Sequence, residues 1–553
     1  MQLDLRHSAK LSVAHTRLIT DLEPSVRASY NAYIGHLAKA NHLQGTDWLA
    51  RASCRNTIAS LIHEKFCRLR LLDTLLERDE VPDLVLVGSK SMYLAVGSVL
   101  EKHQKRFSIQ IQHEGGISVF RNLLQSLRLL LNLFIWPKII RKTKNLVEKK
   151  SFIYLDTFVS PDSFAEDGCF KDRYYPGFLE SLDKKMRDKV ILVPSYYGVG
   201  GFSRYRRLFT ELRRSSINFL VKEDYLTTFD FLVIFFKSFF IPSKIKKIPP
   251  WRGIDTTAIV QDEVLRDRFS PDLVNALLVY RFVKQLKNNG FEPELVIDWN
   301  ENQVMDRALN LAVREEFPQT PIKGYQSYVV PNFYACIQPT EYELAAGTIP
   351  HELCLIGKAY QKDRLEFCPS LKSSIAPAYR FLHIYDSMQK RRTTKQFEIL
   401  IALPMMVDEA KVVIEVCLPL SQKLGDQYSL KMKLHPTQKP QDFHVYQAGL
   451  QNSKIEWVQE NTGRLLQTAN LIITSTSSIC FEAVMIGVFV AIVSNRSGPV
   501  MNPIPNGLNP ELYRICYEEL DILDFIDKLQ HLKTNFDFSM EDYLCPMGQG
   551  SLI

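Results

Sequence analysis

From residue 398 onward the chain alternates short apolar runs with helical segments, and this alternation constrains the fold more than any other feature. Glu398-Ile399-Leu400-Ile401-Ala402-Leu403 reads as a buried strand stopped by Pro404, and 408–424 as a helix. Leu430-Lys431-Met432-Lys433-Leu434 alternates as a strand does and breaks at His435-Pro436. Strands at 455–458, 471–474 and 489–493 follow, with helices at 479–487 and 518–532. Such spacing predicts parallel strands joined by helical crossovers, a doubly wound α/β sheet. The earlier half repeats the pattern less cleanly, with strands at 82–88, 108–112, 152–156, 190–194, 295–298 and 322–326 and a helix at 304–317. A chain of 553 residues exceeds one ordinary core. The expectation is therefore two Rossmann-like, doubly wound domains facing a cleft. They divide as a lead segment 1–45, an N-terminal acceptor domain 46–338, a C-terminal donor domain 339–540 and a tail 541–553. Ligands in such sheets lie at the carboxyl ends of the strands.

Charge distribution says more than net charge. Residues 121–150 hold eight Lys and Arg against the single acid Glu148, and 231–252 hold five against none. Both segments set cations beside apolar runs, which suits a surface resting on anionic lipid headgroups. The alternative is a buried helix and strand with solvated basic ends. Segment 121–150 reads as a basic, apolar helical insertion. Its longest apolar stretch, 123–140, is interrupted by Arg128, Pro137 and Lys138 and does not span a bilayer. The N-terminus lacks the apolar core of a signal peptide. The ten cysteines include no C-x-x-C pair and read as small buried hydrophobes in a reducing compartment. A nucleic-acid partner is disfavoured, because the cations do not line an aromatic stacking platform. The expected location is the cytoplasm, peripheral to the inner face of the cytoplasmic membrane.

Two features of the C-terminal half carry chemistry. Ser475-Thr476-Ser477-Ser478 links a buried strand to a helix and offers hydroxyls and free amides to a phosphate. Glu482, about one turn into that helix, is placed to accept hydrogen bonds from a ribose. An ordinary Ser-rich helix cap is the competing reading. His435-Pro436 ends a strand of the same sheet, so its imidazole can donate to the same phosphate. In the N-terminal half, Asp298 and Glu301 end a buried strand where the cleft opens, and a carboxylate there can take a proton from an attacking hydroxyl. Turn formation and helix N-terminal charge explain them equally well. Asp156 has a similar position. Gly198-Val199-Gly200-Gly201 lacks the third glycine of a dinucleotide fingerprint and reads as a connector. No D-x-D pair suggests a metal, so metal-independent chemistry without a cofactor is expected.

The His435-Pro436 turn and the element Ser475-Thr476-Ser477-Ser478 … Glu482-Ala483, with Gly487 before the next strand, resemble bacterial surface-carbohydrate glycosyltransferases of the GT-B type. These include capsule-type transferases and the His-Pro-motif sialyl-, Kdo- and glycerophosphate-transferring enzymes. Gly324-Tyr325-Gln326, Pro339-Thr340-Glu341-Tyr342-Glu343, Ala346-Gly347 and Ile356-Gly357 resemble the crossover between their domains. The resemblance covers 320–500 and is looser over 45–320. It implies that His435, Pro436, Ser475, Thr476, Ser477, Ser478 and Glu482 form a donor-nucleotide site. It further implies transfer of a sugar to a lipid-linked O-antigen or capsule acceptor. A CMP- or CDP-linked donor is favoured, with UDP and GDP open. A nucleotide-sugar 2-epimerase and an inactive GT-B scaffold are the alternatives, and homo-oligomerisation is left open.

Overall fold

The computed structural model describes residues 2–115, 119–140, 151–166, 168–331, 333–392, 394–531 and 538–553. Its strands form three sheets, every pairing parallel. The first contains β1 (Gln2–Asp4), β2 (Leu84–Val87) and β3 (Ser108–Ile111) in that order. The second contains β4 (Ser151–Val159), β5 (Val190–Tyr196), β6 (Glu292–Trp299), β7 (Ile322–Gln326), β8 (Glu352–Leu355) and β9 (Lys372–Ile375). Its order is β5-β4-β6-β7-β8-β9. The third contains β10 (Phe397–Ala402), β11 (Tyr428–Lys433), β12 (Ile455–Trp457), β13 (Leu471–Thr474), β14 (Phe489–Val493) and β15 (Tyr513–Cys516). Its order is β12-β11-β10-β13-β14-β15.

The third sheet has the Rossmann order, and the second begins with the flavodoxin-like order. Central strands such as β13 are buried throughout, as parallel strands covered on both faces must be. The two large sheets are the doubly wound halves of a GT-B-like fold. Strand order reverses between β10 and β13 in one and between β4 and β6 in the other. The crevices that bind ligands in open α/β sheets lie at such reversals.

The helices used below are α1 (Val13–Ala40), α2 (Ile62–Glu77), α3 (Lys90–His103), α4 (Val119–Ile139), α5 (Thr228–Phe240), α6 (Pro271–Asn288), α7 (Val304–Glu316), α8 (Val407–Lys423) and α9 (Ile479–Met485). Three structural details differ from the expected boundaries. The lead segment is integral to the core: β1 pairs with β2, and Ile19, Val26, Tyr30 and Leu37 of α1 are buried. The strands at 84–87 and 108–111 belong to the small sheet with β1 and not to the large one. The second sheet runs on through β8 and β9, so residue 339 falls inside it and the chain crosses to the third sheet between Ile375 and Phe397. The tail then returns. The Cys545 amide donates to Ile356 O at 2.6 Å and Cys545 O accepts from the Ala378 amide at 2.9 Å. Gly357 permits this, because a Cβ there would lie 2.5–2.6 Å from the backbone of Asp542 and Tyr543.

Part of the basic insertion, residues 141–150, lies outside the described residues. The described part is α4, which buries Leu130, Leu133 and Trp136 in its later turns and polar residues in its first two. Asn122 and Ser126 are buried and donate to the carbonyls of Arg266 and Phe269, both at 2.7 Å. Phe120, Leu124, Leu127 and Leu131 form an exposed stripe along its outer side. The aromatic run of 231–236 is also helical, within α5. There Phe229, Leu232, Phe236 and Phe240 make a second exposed stripe, each more than half exposed. Both helices pack on α6, and Phe134 of α4 meets Phe231 of α5 edge to face at 5.4 Å.

Candidate active site

The reversal point of the second sheet is built around carboxylates. Asp298, on β6, is fully buried, and its Oδ2 accepts from Asn300 Nδ2 at 2.9 Å and Asn310 Nδ2 at 3.1 Å. Asp156, on neighbouring β4, accepts from Ser195 Oγ at 2.8 Å. Burial, reinforced by the charge of Asp298, pushes the Asp156 carboxyl up to about 7. Burial raises Asp298 as well, against the opposing hydrogen bonds of Asn300 and Asn310. The two carboxyls therefore resist simultaneous ionisation.

Glu301 lies one turn of chain beyond. Asn302 adopts a left-handed conformation with φ 51°, which Asn tolerates, and so turns the chain sharply after β6. The Asp306 carboxylate, in the first turn of α7, accepts the amides of Glu301 and Gln303 at 2.9 Å each and fixes the turn. The Glu301 carboxylate accepts from Trp299 Nε1 at 3.0 Å and from Gln303 Nε2. Burial raises its pKa, while those two donors and the nearby Arg380 cation work against the rise. Beneath the turn, Glu343 pairs with Arg55 and Arg307, all three at most 1% exposed, and Arg307 Nε also reaches Asn302 Oδ1 at 3.4 Å.

From the third sheet comes the hydroxyl loop that follows β13. Ser475 is buried, and Thr476 Oγ1 donates to Met501 O at 3.2 Å. Ser478 sits at the start of α9 without a side-chain cap bond, while the Ser477 hydroxyl accepts the Ile479 amide at 3.5 Å, a long contact at the helix start. α9 has only seven residues and is shorter than the expected helix. Thr476, Ser477 and Ser478 line a cavity of about 230 Å³ whose opposite wall includes Glu301, Tyr334 and Arg380. The reversal points of the two large sheets thus face one another across a single space. A contiguous cavity of about 300 Å³ shares Val329, Val330 and Pro331 with it and extends along α1.

The remaining expected residues, Asp298, Ser475, His435, Pro436 and Glu482, do not line this cavity. Asp298 is buried behind Glu301, so the two carboxylates paired in the sequence separate into an internal group and a cleft group. His435 ends β11, one strand farther from the reversal. Its Nδ1 accepts from the Thr437 amide at 3.3 Å and lies 2.7 Å from Thr437 Oγ1. That contact assigns the proton of the neutral ring to Nε2. Burial lowers the pKa of His435, which disfavours protonation of the ring. Pro436 is exposed. Gln438 ties the turn to the end of β10, accepting from the His435 amide at 3.2 Å and donating to Pro404 O at 2.7 Å. Glu482 faces His383 Nε2 at 3.2 Å rather than the cavity, and that hydrogen bond raises the pKa of His383.

Two residues at the site were not singled out from sequence. Arg380 lies in the crossing between the sheets, where its only sequence signal is a cation beside the proline-containing turn 377–379. Glu409, in the first turn of α8 directly after β10, is pushed up to about 6 by burial, against a hydrogen bond from Ser475. Its position after the first strand of a Rossmann order was the available cue. Among the described residues no group of three or more His, Cys, Asp or Glu side chains could hold a metal ion.

No protein-family model matches the chain, and no curated protein matches it in sequence. Similar solved structures include a Staphylococcus aureus MnaA–UDP complex, with 12% identity and a TM-score of 0.40 over 69% of this chain and 88% of that one. Another is the apo lipopolysaccharide outer-core galactosyltransferase WaaB, with 11% identity and a TM-score of 0.39 over 71% and 94%. A third is the Neisseria meningitidis UDP-GlcNAc 2-epimerase bound to UDP-GlcNAc, with 12% identity and a TM-score of 0.39 over 69% and 91%.

Proposed function

We propose that the interdomain cleft binds a nucleotide-activated sugar and transfers its glycosyl group to an acceptor hydroxyl. One observation carries this reading: the hydroxyl loop from one sheet reversal and Glu301 from the other line the same cavity. The hydroxyls of Thr476, Ser477 and Ser478 would donate to the phosphate oxygens of the donor, and Arg380 would offset their charge as the sugar departs. Glu301 would take the proton of the attacking hydroxyl as the acceptor oxygen bonds to the anomeric carbon. The bond from that carbon to the phosphate oxygen breaks, releasing the nucleotide. Its raised pKa keeps Glu301 basic enough for this role. His435, with Nε2–H as donor, and Glu482 are proposed to approach the nucleotide when the cleft is occupied. The donor is proposed to be CMP- or CDP-linked, with UDP and GDP as the other arms of the test.

The acceptor is proposed to be a lipid-linked surface glycan, O-antigen or capsule, reached at the inner face of the membrane. The exposed stripes of α4 and α5 support this reading, flanked by Arg121, Arg128, Lys244, Lys246 and Lys247 on the surface. Apolar side chains set among cations suit an anionic interface. Among the described residues no helix is long and apolar enough to cross a membrane. A 2-epimerase acting on a free nucleotide sugar would have no use for this surface. The test is a thermal-shift panel of CMP, CDP, UDP and GDP, then turnover of the stabilising donor with and without a lipid-linked acceptor. Acceptor-dependent release of nucleotide is expected. Product formed from the donor alone would replace the reading with epimerisation, and no shift with any nucleotide would leave a scaffold.

A further inference from the structure

We propose that the cavity at the carboxyl edge of the three-stranded sheet is a second binding site, for a sugar-sized molecule bearing a phosphoryl or carboxylate group. The cavity measures about 510 Å³ and shares no wall residue with the interdomain cleft. Its walls are the segments that directly follow β1, β2 and β3, closed on one side by α2. Parallel sheets bind ligands at this edge, and the volume is that of a small-molecule site.

The donor set points to an oxyanion. Arg68, on α2, is 1% exposed and forms part of the wall. Its Nε donates to Glu64 at 2.8 Å, and its Nη2 donates to His7 O at 3.1 Å and to Ser497 O. Its Nη1 is buried with no hydrogen-bond partner among the described residues. A guanidinium donor withdrawn from water and left unmatched is costly, and an oxyanion in the adjoining cavity would supply the acceptor. Arg6, Lys65 and Arg266 add three further cations to the wall. Their partners, Asp4 and Asp262, are not wall residues.

The two acids on the wall are already engaged. Glu64 is held by Arg68 and by His7 Nδ1 at 2.5 Å. Glu114 accepts the amides of His7 and Ser8 at 2.9 and 2.8 Å and the Ser8 hydroxyl at 2.5 Å. The rim thus already cradles one carboxylate, the chain's own. Gly88 makes room for it, since a Cβ there would lie 2.1 Å from Glu114 Oε2. With both acids committed, little acceptor capacity remains for a neutral sugar's hydroxyls, while donors remain for an anion. The 14-residue helix α3 starts at this wall with Ser89 as its cap, and its N-terminal dipole adds to the same preference.

Calorimetric titration of the full chain with glucose 6-phosphate, glucuronate and methyl glucoside tests the site. Binding of at least one charged probe and none of methyl glucoside is expected. The tighter of the two charged probes identifies the group as phosphoryl or carboxylate. Arg68→Gln should weaken that binding by roughly tenfold to a hundredfold, as loss of a hydrogen bond to a charged group does. Lys65→Gln, at a side chain 13% exposed that does not bridge to Ser497, carries the test if Arg68→Gln fails to fold. Ser478→Ala, in the interdomain cleft, should leave probe binding unchanged, which separates this site from the proposed donor site. Equal binding of methyl glucoside, no binding of either charged probe, or undiminished binding by a folded Lys65→Gln variant would overturn the proposal.

Discussion

Replacing Glu343 by Gln keeps its shape and removes the one negative charge between two buried guanidiniums. Glu343 is 1% exposed; it accepts from Arg55 Nη2 at 2.5 Å and Nε at 3.2 Å, from Arg307 Nη2, and from the Thr340 amide at 2.8 Å. Burial alone would raise its pKa, but Arg55 and Arg307 outweigh that and hold it below the usual 4.5. The Glu343→Gln side chain would turn its amide donors toward one guanidinium and leave two cations uncompensated, Arg55 at 1% and Arg307 at 0% exposure. Breaking a buried pair in this way destabilises by about 3–5 kcal/mol. For domains of this size that corresponds to a midpoint lowered by roughly 6–20 °C. Differential scanning calorimetry on both proteins at neutral pH measures it. The sign of the pH dependence follows from the depressed pKa. In the wild type this stabilisation is complete above the unfolded carboxyl's pKa and is lost as pH falls through the lower folded value. The variant should lack that acid-side loss. A midpoint within about 2 °C of wild type, equivalent to under roughly 1 kcal/mol, would refute the assignment of a structural charge to Glu343.

Three further outcomes are expected. Glu301→Gln should lower kcat by about 10²–10⁴ with nucleotide affinity little changed, and the wild-type rate should rise as pH passes the elevated Glu301 pKa; a pH–rate profile on both proteins checks this. Ser477→Ala or Ser478→Ala should weaken nucleotide binding by roughly tenfold or more, measured by calorimetry, through loss of a hydrogen bond to a charged phosphate. Leu127→Glu combined with Phe236→Glu should abolish sedimentation with anionic vesicles while leaving the thermal midpoint close to wild type, because both side chains are already exposed, at 39% and 57%.

The third sheet was legible because its central strands are covered on both faces and therefore read as unbroken apolar runs. The Ser475-Thr476-Ser477-Ser478 loop followed from that register, and the structure puts it on the cleft. The small first sheet was not legible in full. Gln2-Leu3-Asp4 is too short to show a period, and its pairing with Leu84-Val85-Leu86 is a contact between distant parts of the chain. β8 and β9, of four residues each, were weak for the same reason, which drew the expected boundary at 339 too early. Asp298 and Glu301 looked equivalent in sequence. A left-handed turn at Asn302 and strand alternation send one inward and one to the cleft, which composition does not encode. The partner of Glu482, His383, lies 99 residues away and carries no motif.

The docking of the tail beside Gly357 has a mechanical consequence. The third sheet is joined to the second by the crossing between Ile375 and Phe397 and again by the returning tail. A single covalent link leaves a body free to swivel; the tail, docked on Ile356 and on Ala378 where the crossing begins, removes part of that freedom. A bulky side chain at residue 357 would detach the tail, and orientation across the cleft, more than the integrity of either half, is what the molecule would lose.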